Sequence, residues 1–320
     1  MKKSAIRWMS LTALCAALAA CGGGGGDGGS NGGGGGGDGM PRAATGDFNA
    51  GTYAATANAV SQTVLDGAET TQGMGSLLPL SATGQASHGL PNVQQIAANK
   101  LFKRTRFEQP QATESESMPC DTGSLTYTYE YRDVNNINVG DSVTIASNSC
   151  VLGGEALSGS VKATITRYSE SQTGFSGGFS MSFSSFGSNE QRFNGAVNLS
   201  LSESSSGASF RAEYRGLSYT SEGVTAGWYH TVAFAMDATS TRLSVGGFTQ
   251  VNNAFYRLEQ RTPFTWGAYP SAGELVISDA QGDWVRITAT QNNFVYDYFN
   301  ADNKTGTPNA TVTGLVYAPQ

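Results

Sequence analysis

Leu125-Thr126-Tyr127-Thr128-Tyr129-Glu130-Tyr131-Arg132 decides the fold. Leu125, Tyr127, Tyr129 and Tyr131 point one way, and Thr126, Thr128, Glu130 and Arg132 point the other. That is the period of two of a half-buried β-strand. After Asn135-Asn136 the chain returns through Val143 and Ile145, which predicts an antiparallel pair joined by a loop. Cys120 precedes the first segment and Cys150 closes the second, so the two thiols are expected to meet at the open end of the pair. The loop they close has about 31 residues, worth about 3–4 kcal/mol in the chain-entropy account.

The same alternation continues to the end of the chain. Phe179-x-Met181-x-Phe183 alternates with serines, and Phe210, Ala212 and Tyr214 alternate with Arg211, Glu213 and Arg215. Val232, Phe234 and Met236 follow, then Leu243 and Val245, Tyr256 and Leu258 before Pro263, Val285 and Ile287, and Phe294, Tyr296 and Tyr298. Turn signals at Gly153-Gly154, Gly187-Ser188, Ser206-Gly207, Gly246-Gly247, Asn252-Asn253, Gln281-Gly282 and Asn292-Asn293 separate them. Leu157–Ile165 and Phe193–Leu201 echo each other at an offset of 36 residues, each opening on a glycine-led bend. Residues 119–320 therefore predict an all-β domain with a long-stranded antiparallel sheet, either a sandwich or a curved half-barrel.

Residues 40–118 are mixed. Thr52 to Leu65 carries Tyr53, Ala57, Val60 and Val64 at helical spacing. Pro91 to Arg106 is a second helical pattern, with a stripe of Val93, Ile96, Ala97 and Leu101 and a basic end at Lys100, Lys103, Arg104 and Arg106. This second helix, with one apolar stripe to bury, is expected to dock on a concave sheet. Residues 67–89 read as a loop and 109–118 as a polar linker.

The start of the chain concerns location. Lys2, Lys3 and Arg7 precede a short apolar run, Trp8 to Leu18, too short for the roughly 20 residues that cross a bilayer as a helix. Leu18-Ala19-Ala20-Cys21 resembles the lipobox of bacterial lipoproteins. The resemblance implies a signal peptide over residues 1–20, cleavage before Cys21 and acylation at that residue. Buried acyl chains contribute about 0.8 kcal/mol per CH₂, so three of them make a lasting membrane anchor. Gly22, rather than Asp, after the cysteine favours the outer membrane by the same resemblance. Residues 22–39 hold 14 glycines among 18. Such a tract buries nothing and is expected to be a disordered tether spanning roughly 25 Å.

Composition narrows the function. Without Lys2, Lys3 and Arg7 the mature chain has 16 basic against 25 acidic residues, near −9. An acidic surface argues against a nucleic-acid partner. Cys15 leaves with the signal and Cys21 carries lipid, which leaves Cys120 and Cys150 as a disulfide pair in an oxidising compartment. The two histidines, His88 and His230, and the lack of Cys-x-x-Cys argue against a metal site and a cofactor. His230 sits on a strand and reads as a core or polar-face histidine. No Gly-x-Ser-x-Gly elbow occurs. Asp237, Glu259, Asp279 and Asp283 are the carboxylates an acid-pair hydrolase would draw on. Trp228, Tyr229, Trp266, Tyr269 and Trp284 cluster late in the chain and are the candidate ligand-contacting aromatics, suited to stacking on sugars or lining an apolar pocket. The expectation is a non-enzymatic, membrane-anchored envelope lipoprotein that binds or scaffolds a protein, glycan or lipid. A carrier of hydrophobic ligand and a carbohydrate-active hydrolase are the alternatives; a third, a membrane-embedded barrel, is disfavoured by the Ser, Thr, Asn, Arg and Glu on the second face of most strands, where a lipid-facing band would be apolar.

Overall fold

The alternating tyrosines of 125–131 lie in one of the strands of a single continuous sheet. The structure, a computed structural model, describes residues 40–76, 112–133, 136–171, 174–188, 191–221, 224–266, 270–290 and 293–316. In chain order these form helix α1 (Tyr53–Ser76) and then the strands β1 (Ala112–Pro119), β2 (Thr122–Tyr131), β3 (Ser142–Leu152) and the short β4 (Glu155–Ala156). The long strands β5 (Ser158–Ser171), β6 (Gly174–Gly187), β7 (Gln191–Ser204), β8 (Gly207–Ser221) and β9 (Val224–Met236) come next. After them run β10 (Thr241–Val251), β11 (Ala254–Trp266), β12 (Pro270–Ser278), β13 (Trp284–Thr290), β14 (Asn293–Phe299) and β15 (Ala310–Val316). Every strand pairs antiparallel with its chain neighbours, except that β4 sits off the path beside β3. The result is one open meander, not a barrel, because β1 and β15 pair only inward. Of the two architectures expected, the sandwich of separate sheets is replaced by one curved sheet.

The 36-residue echo is a structural device. Gly123, Gly159 and Gly195, each 36 residues after the last, all have positive φ, at 70°, 75° and 112°. Each sits at a register shift, and each faces a positive-φ residue on the next strand of the path: Ser149, Ser185 and Gly216. A β-bulge bends its strand and raises the local twist. Three equivalent bulges in β2, β5 and β7 therefore curl the sheet in a repeated way. The curvature is visible farther on, where the rings of Phe264 in β11 and Phe294 in β14 meet edge to face at 6.1 Å.

Alternation puts one apolar face inside. Leu125, Tyr127, Val143, Ile145, Val161, Ile165, Phe179, Val197, Tyr214, Val232, Leu243, Ile287 and Tyr296 all belong to one buried core. Helix α1 lies on that concave face, against β8, β9 and β10 on one side and β14 on the other. Asn49 caps it, its Oδ1 accepting the N–H groups of Gly51 and Thr52. Its buried stripe is Tyr53, Ala57, Val60, Val64, Leu65 and Ala68. Tyr53 stacks on Tyr298, and the Tyr296 hydroxyl donates to Asn58 at 3.3 Å.

Several expectations change here. The helix does not stop at Leu65 but continues to Ser76, into residues read as loop. The misleading residue is Gly67, which serves close packing: a Cβ there would stand 3.2 Å from His230 Nε2 and 3.5 Å from the Trp228 indole nitrogen. The helix on the concave face is thus α1; the pattern over 91–106 lies outside the described residues. Residues 112–118, read as polar linker, form with Pro119 the edge strand β1, whose Glu114 and Glu116 suit an edge that must not recruit further strands. Gly246-Gly247 is no turn, since both lie inside β10 where its pairing with β11 shifts register. Asn252 and Asn253 do make the expected turn, both with positive φ, between β10 and β11.

Candidate functional site

The disulfide stands where the hairpin geometry puts it, linking Cys120 to Cys150 across the open end of β2 and β3, with Cα atoms 5.5 Å apart. Cys21 and Tyr269 lie outside the described residues, and of Trp266 only the strand position is described.

The remaining candidate aromatics divide between the two faces. Trp228 is 3% exposed and belongs to the core, so it is not a ligand platform. Strand parity turns it inward under α1, and a buried indole N–H needs an acceptor, which the Thr63 carbonyl supplies at 2.8 Å. The core tyrosines Tyr296 and Tyr298 are inward for the same reason. Tyr229, the next residue along β9, is half-buried on the outer face, where it meets Phe255 edge to face at 5.2 Å.

Trp284 is the candidate that lies on the outer face with an aromatic partner. It is half-buried at the start of β13 and pairs with Phe299 of β14, the two rings parallel with centroids 3.8 Å apart and 5° between planes. Both lie opposite in parity to Val285 and Tyr298, which are core residues. Phe299 is 1% exposed yet stands outside the core cluster. It is sealed on the outer face, with Trp284 stacked on it as the more accessible ring. Two cations flank the stack: Arg261 lies 5.9 Å from the Trp284 ring and Arg286 5.3 Å from Phe299. Arg286 is fixed by Asp297, its Nε and one terminal nitrogen both donating to Oδ2 at 3.1 and 2.6 Å, while Thr311 donates to Oδ1. Arg261 pairs more loosely with Glu259 at 3.6 Å. The register rows Trp284–Phe299 and Arg286–Asp297 set four of these residues directly opposite one another on β13 and β14, with Arg261 on β11.

The carboxylates named from sequence are all engaged in other work. Asp279 accepts the N–H groups of Gln281 and Asp283 on Oδ1 and that of Phe48 on Oδ2 at 2.7 Å. Burial raises its pKa, with those backbone bonds opposing. It fastens the segment before α1 to the β12–β13 turn. There the N–H groups of Thr45 and Gly46 also donate to the Phe255 carbonyl, and Ala280 donates to Gly46. Asp283 accepts a short hydrogen bond from the Tyr298 hydroxyl and another from the Ala301 N–H. Asp237 is held down to about 2 by the Thr239 hydroxyl and the Thr239 and Ser240 amides that it caps. Glu259 is the partner of Arg261.

His230 is a core histidine, 1% exposed, its Nδ1 3.3 Å from the Phe248 carbonyl and its Nε2 buried without a partner. Burial lowers its pKa to about 4, so it is neutral. Among the described residues no group of three or more His, Cys, Asp or Glu side chains is placed to hold a metal ion. No helix among them is long and apolar enough to cross a membrane.

The part of the site that sequence reading missed is Phe299 and its two arginines. Trp284 and Phe299 are 15 positions apart, and only the hairpin register brings them together. No protein-family model, no curated protein and no solved structure matches this chain.

Proposed function

We propose that this protein is a lipid-anchored, non-enzymatic envelope protein. On this reading Cys21 carries the anchor, the glycine tract is the tether, and the outer face of the sheet binds an envelope glycan. The observation that carries the binding reading is the Trp284–Phe299 stack. One face of the indole covers Phe299, and the ring is still half-buried rather than sealed, on the face of the sheet away from the core. There the indole offers an apolar plane to the C–H face of a sugar ring, with Arg261 and Arg286 beside it to donate to hydroxyls or acidic substituents. The carrier reading is less well supported, because α1 occupies the concave face between β8–β10 and β14 where a hydrophobic ligand would have to lie. The hydrolase reading is weakened by the structural hydrogen bonds that engage Asp279 and Asp283.

Two measurements test it. Calorimetric titration of the full chain with cell-wall and lipopolysaccharide oligosaccharides should show saturable binding that Trp284→Ala abolishes, while the variant still unfolds cooperatively at a midpoint lowered by loss of the Phe299 stack. Binding unaffected by that substitution would remove the platform. Separately, the wild type should fractionate with membranes and incorporate labelled palmitate, and Cys21→Ala should do neither. A soluble, unlabelled wild-type chain would overturn the anchor.

A further inference from the structure

We infer that a second stretch of the outer face, formed by Arg167, Arg211 and Arg242, binds an extended anionic oligosaccharide. This deepens the glycan-binding reading and rests on it. The three arginines line a shallow depression of about 420 Å³ floored by small side chains, Ser200, Ser209 and Ala233 among them. Register and parity place them together. Arg167 faces Gly178 on β6, which faces Ser200 on β7, which faces Arg211 on β8, which faces Ala233 on β9. Arg242 of β10 lies one row along, opposite Ala235. The depression exists because no large side chain stands between the arginines.

Their charge is not spent within the protein. Lys162, Arg215, Arg261 and Arg286 each pair with a carboxylate. Arg167, Arg211 and Arg242 are exposed, and none forms an ion pair among the described residues; Arg211 donates to the Thr231 hydroxyl at 3.2 Å. In a chain of net charge −6, three unpaired guanidinium groups around one hollow form a local positive field. Strands lie about 5 Å apart and residues on one face about 7 Å apart along a strand, so Arg211 and Arg242 root roughly 12 Å apart and Arg167 and Arg211 roughly 14 Å apart. That spacing suits a chain with charges repeated along it better than a single anion. The forked guanidinium donors match carboxylate or phosphate oxygens, and the serine floor offers hydroxyl partners to a sugar.

The test is calorimetric titration of the full chain with octagalacturonic acid, neutral maltooctaose and an octathymidylate of similar charge. Binding is expected for octagalacturonic acid only, weakening between 50 mM and 500 mM salt. Arg167→Gln/Arg211→Gln/Arg242→Gln should weaken it on the order of tenfold or more, with an unchanged unfolding midpoint since all three are exposed. Lys162→Gln/Arg215→Gln, which alters cations already paired, should leave it intact. Failure to bind octagalacturonic acid, equal binding of maltooctaose, equal binding of the oligonucleotide, or full binding by the triple variant would each overturn the inference. If Trp284→Ala abolishes binding while the triple variant retains it, the inference falls and the function proposed above stands.

Discussion

The indole N–H of Trp228 on β9 donates to the carbonyl of Thr63 in α1 at 2.8 Å, across 165 positions of sequence. One turn farther along, the Tyr214 hydroxyl of β8 donates to the Gly67 carbonyl at 2.9 Å. The two rings touch, with centroids 5.2 Å apart. Together they bolt the helix to the concave face. Trp228→Phe removes a buried donor and part of a core ring, and is expected to cost about 2–3 kcal/mol. Tyr214→Phe removes only a hydroxyl, and about 1 kcal/mol is expected. Urea unfolding checks both, and because the residues touch, the double variant should depart from the sum of the two.

His230 gives the fold a pH dependence of defined sign. Its folded pKa, lowered by burial to about 4, lies below the ordinary value of 6.5. The unfolded chain therefore takes up its proton first as pH falls. Its contribution is fully present above pH 6.5, falls between 6.5 and about 4, and is flat below. The total is about 3 kcal/mol. His230→Phe removes the titrating group together with the unpartnered Nε2. Unfolding free energies measured at pH 7, 5.5 and 4.5 should converge on or fall below the variant's as pH drops. Parallel curves for the two proteins would contradict the assignment.

Strand content was legible because one-sided burial writes itself as alternation. The runs at 125–131, 179–183 and 294–298 are all strands with those residues inward. The full length of α1 was hidden because Gly67 reads as a helix end when considered alone; only the positions of His230 and Trp228 explain it. β1 escaped notice because an edge strand needs no apolar face. The aromatics show the same limit. Trp228 and Trp284 are equally prominent in the sequence, but the parity of their strands sends one under the helix and leaves the other on the outer face. The depression among Arg167, Arg211 and Arg242 depends on five strand pairings and has no local signature.

The disulfide should matter more to stability than to architecture. Cys120 and Cys150 are 30 positions apart, and β2 and β3 already pair over Ser124–Glu130. Cys120→Ser/Cys150→Ala keeps that ladder and releases the loop constraint on the unfolded chain. A loss of about 3–4 kcal/mol is expected. Thermal unfolding with and without reductant checks it, and the double variant should be insensitive to reductant.

Curvature should depend on the bulge glycines, and Gly195 separates geometry from mere conformational preference. At Gly195, φ is 112° and a Cβ would lie 1.9 Å from the Gly216 carbonyl oxygen. At Gly153, in the tight turn between β3 and β4, φ is also positive at 61°, but nothing lies within 4 Å of a Cβ. Gly153→Ala therefore incurs only the left-handed backbone cost, about 1–2 kcal/mol. Gly195→Ala adds a collision with main chain that no side-chain rotation relieves, and the β7–β8 pairing must shift. A loss of more than about 3 kcal/mol is expected, or failure to fold. Since the bulge bends β7 around the core, a folded Gly195→Ala chain should also loosen the contacts of α1. Amide exchange at Thr63 and Gly67 would then speed up in Gly195→Ala and stay at the wild-type rate in Gly153→Ala.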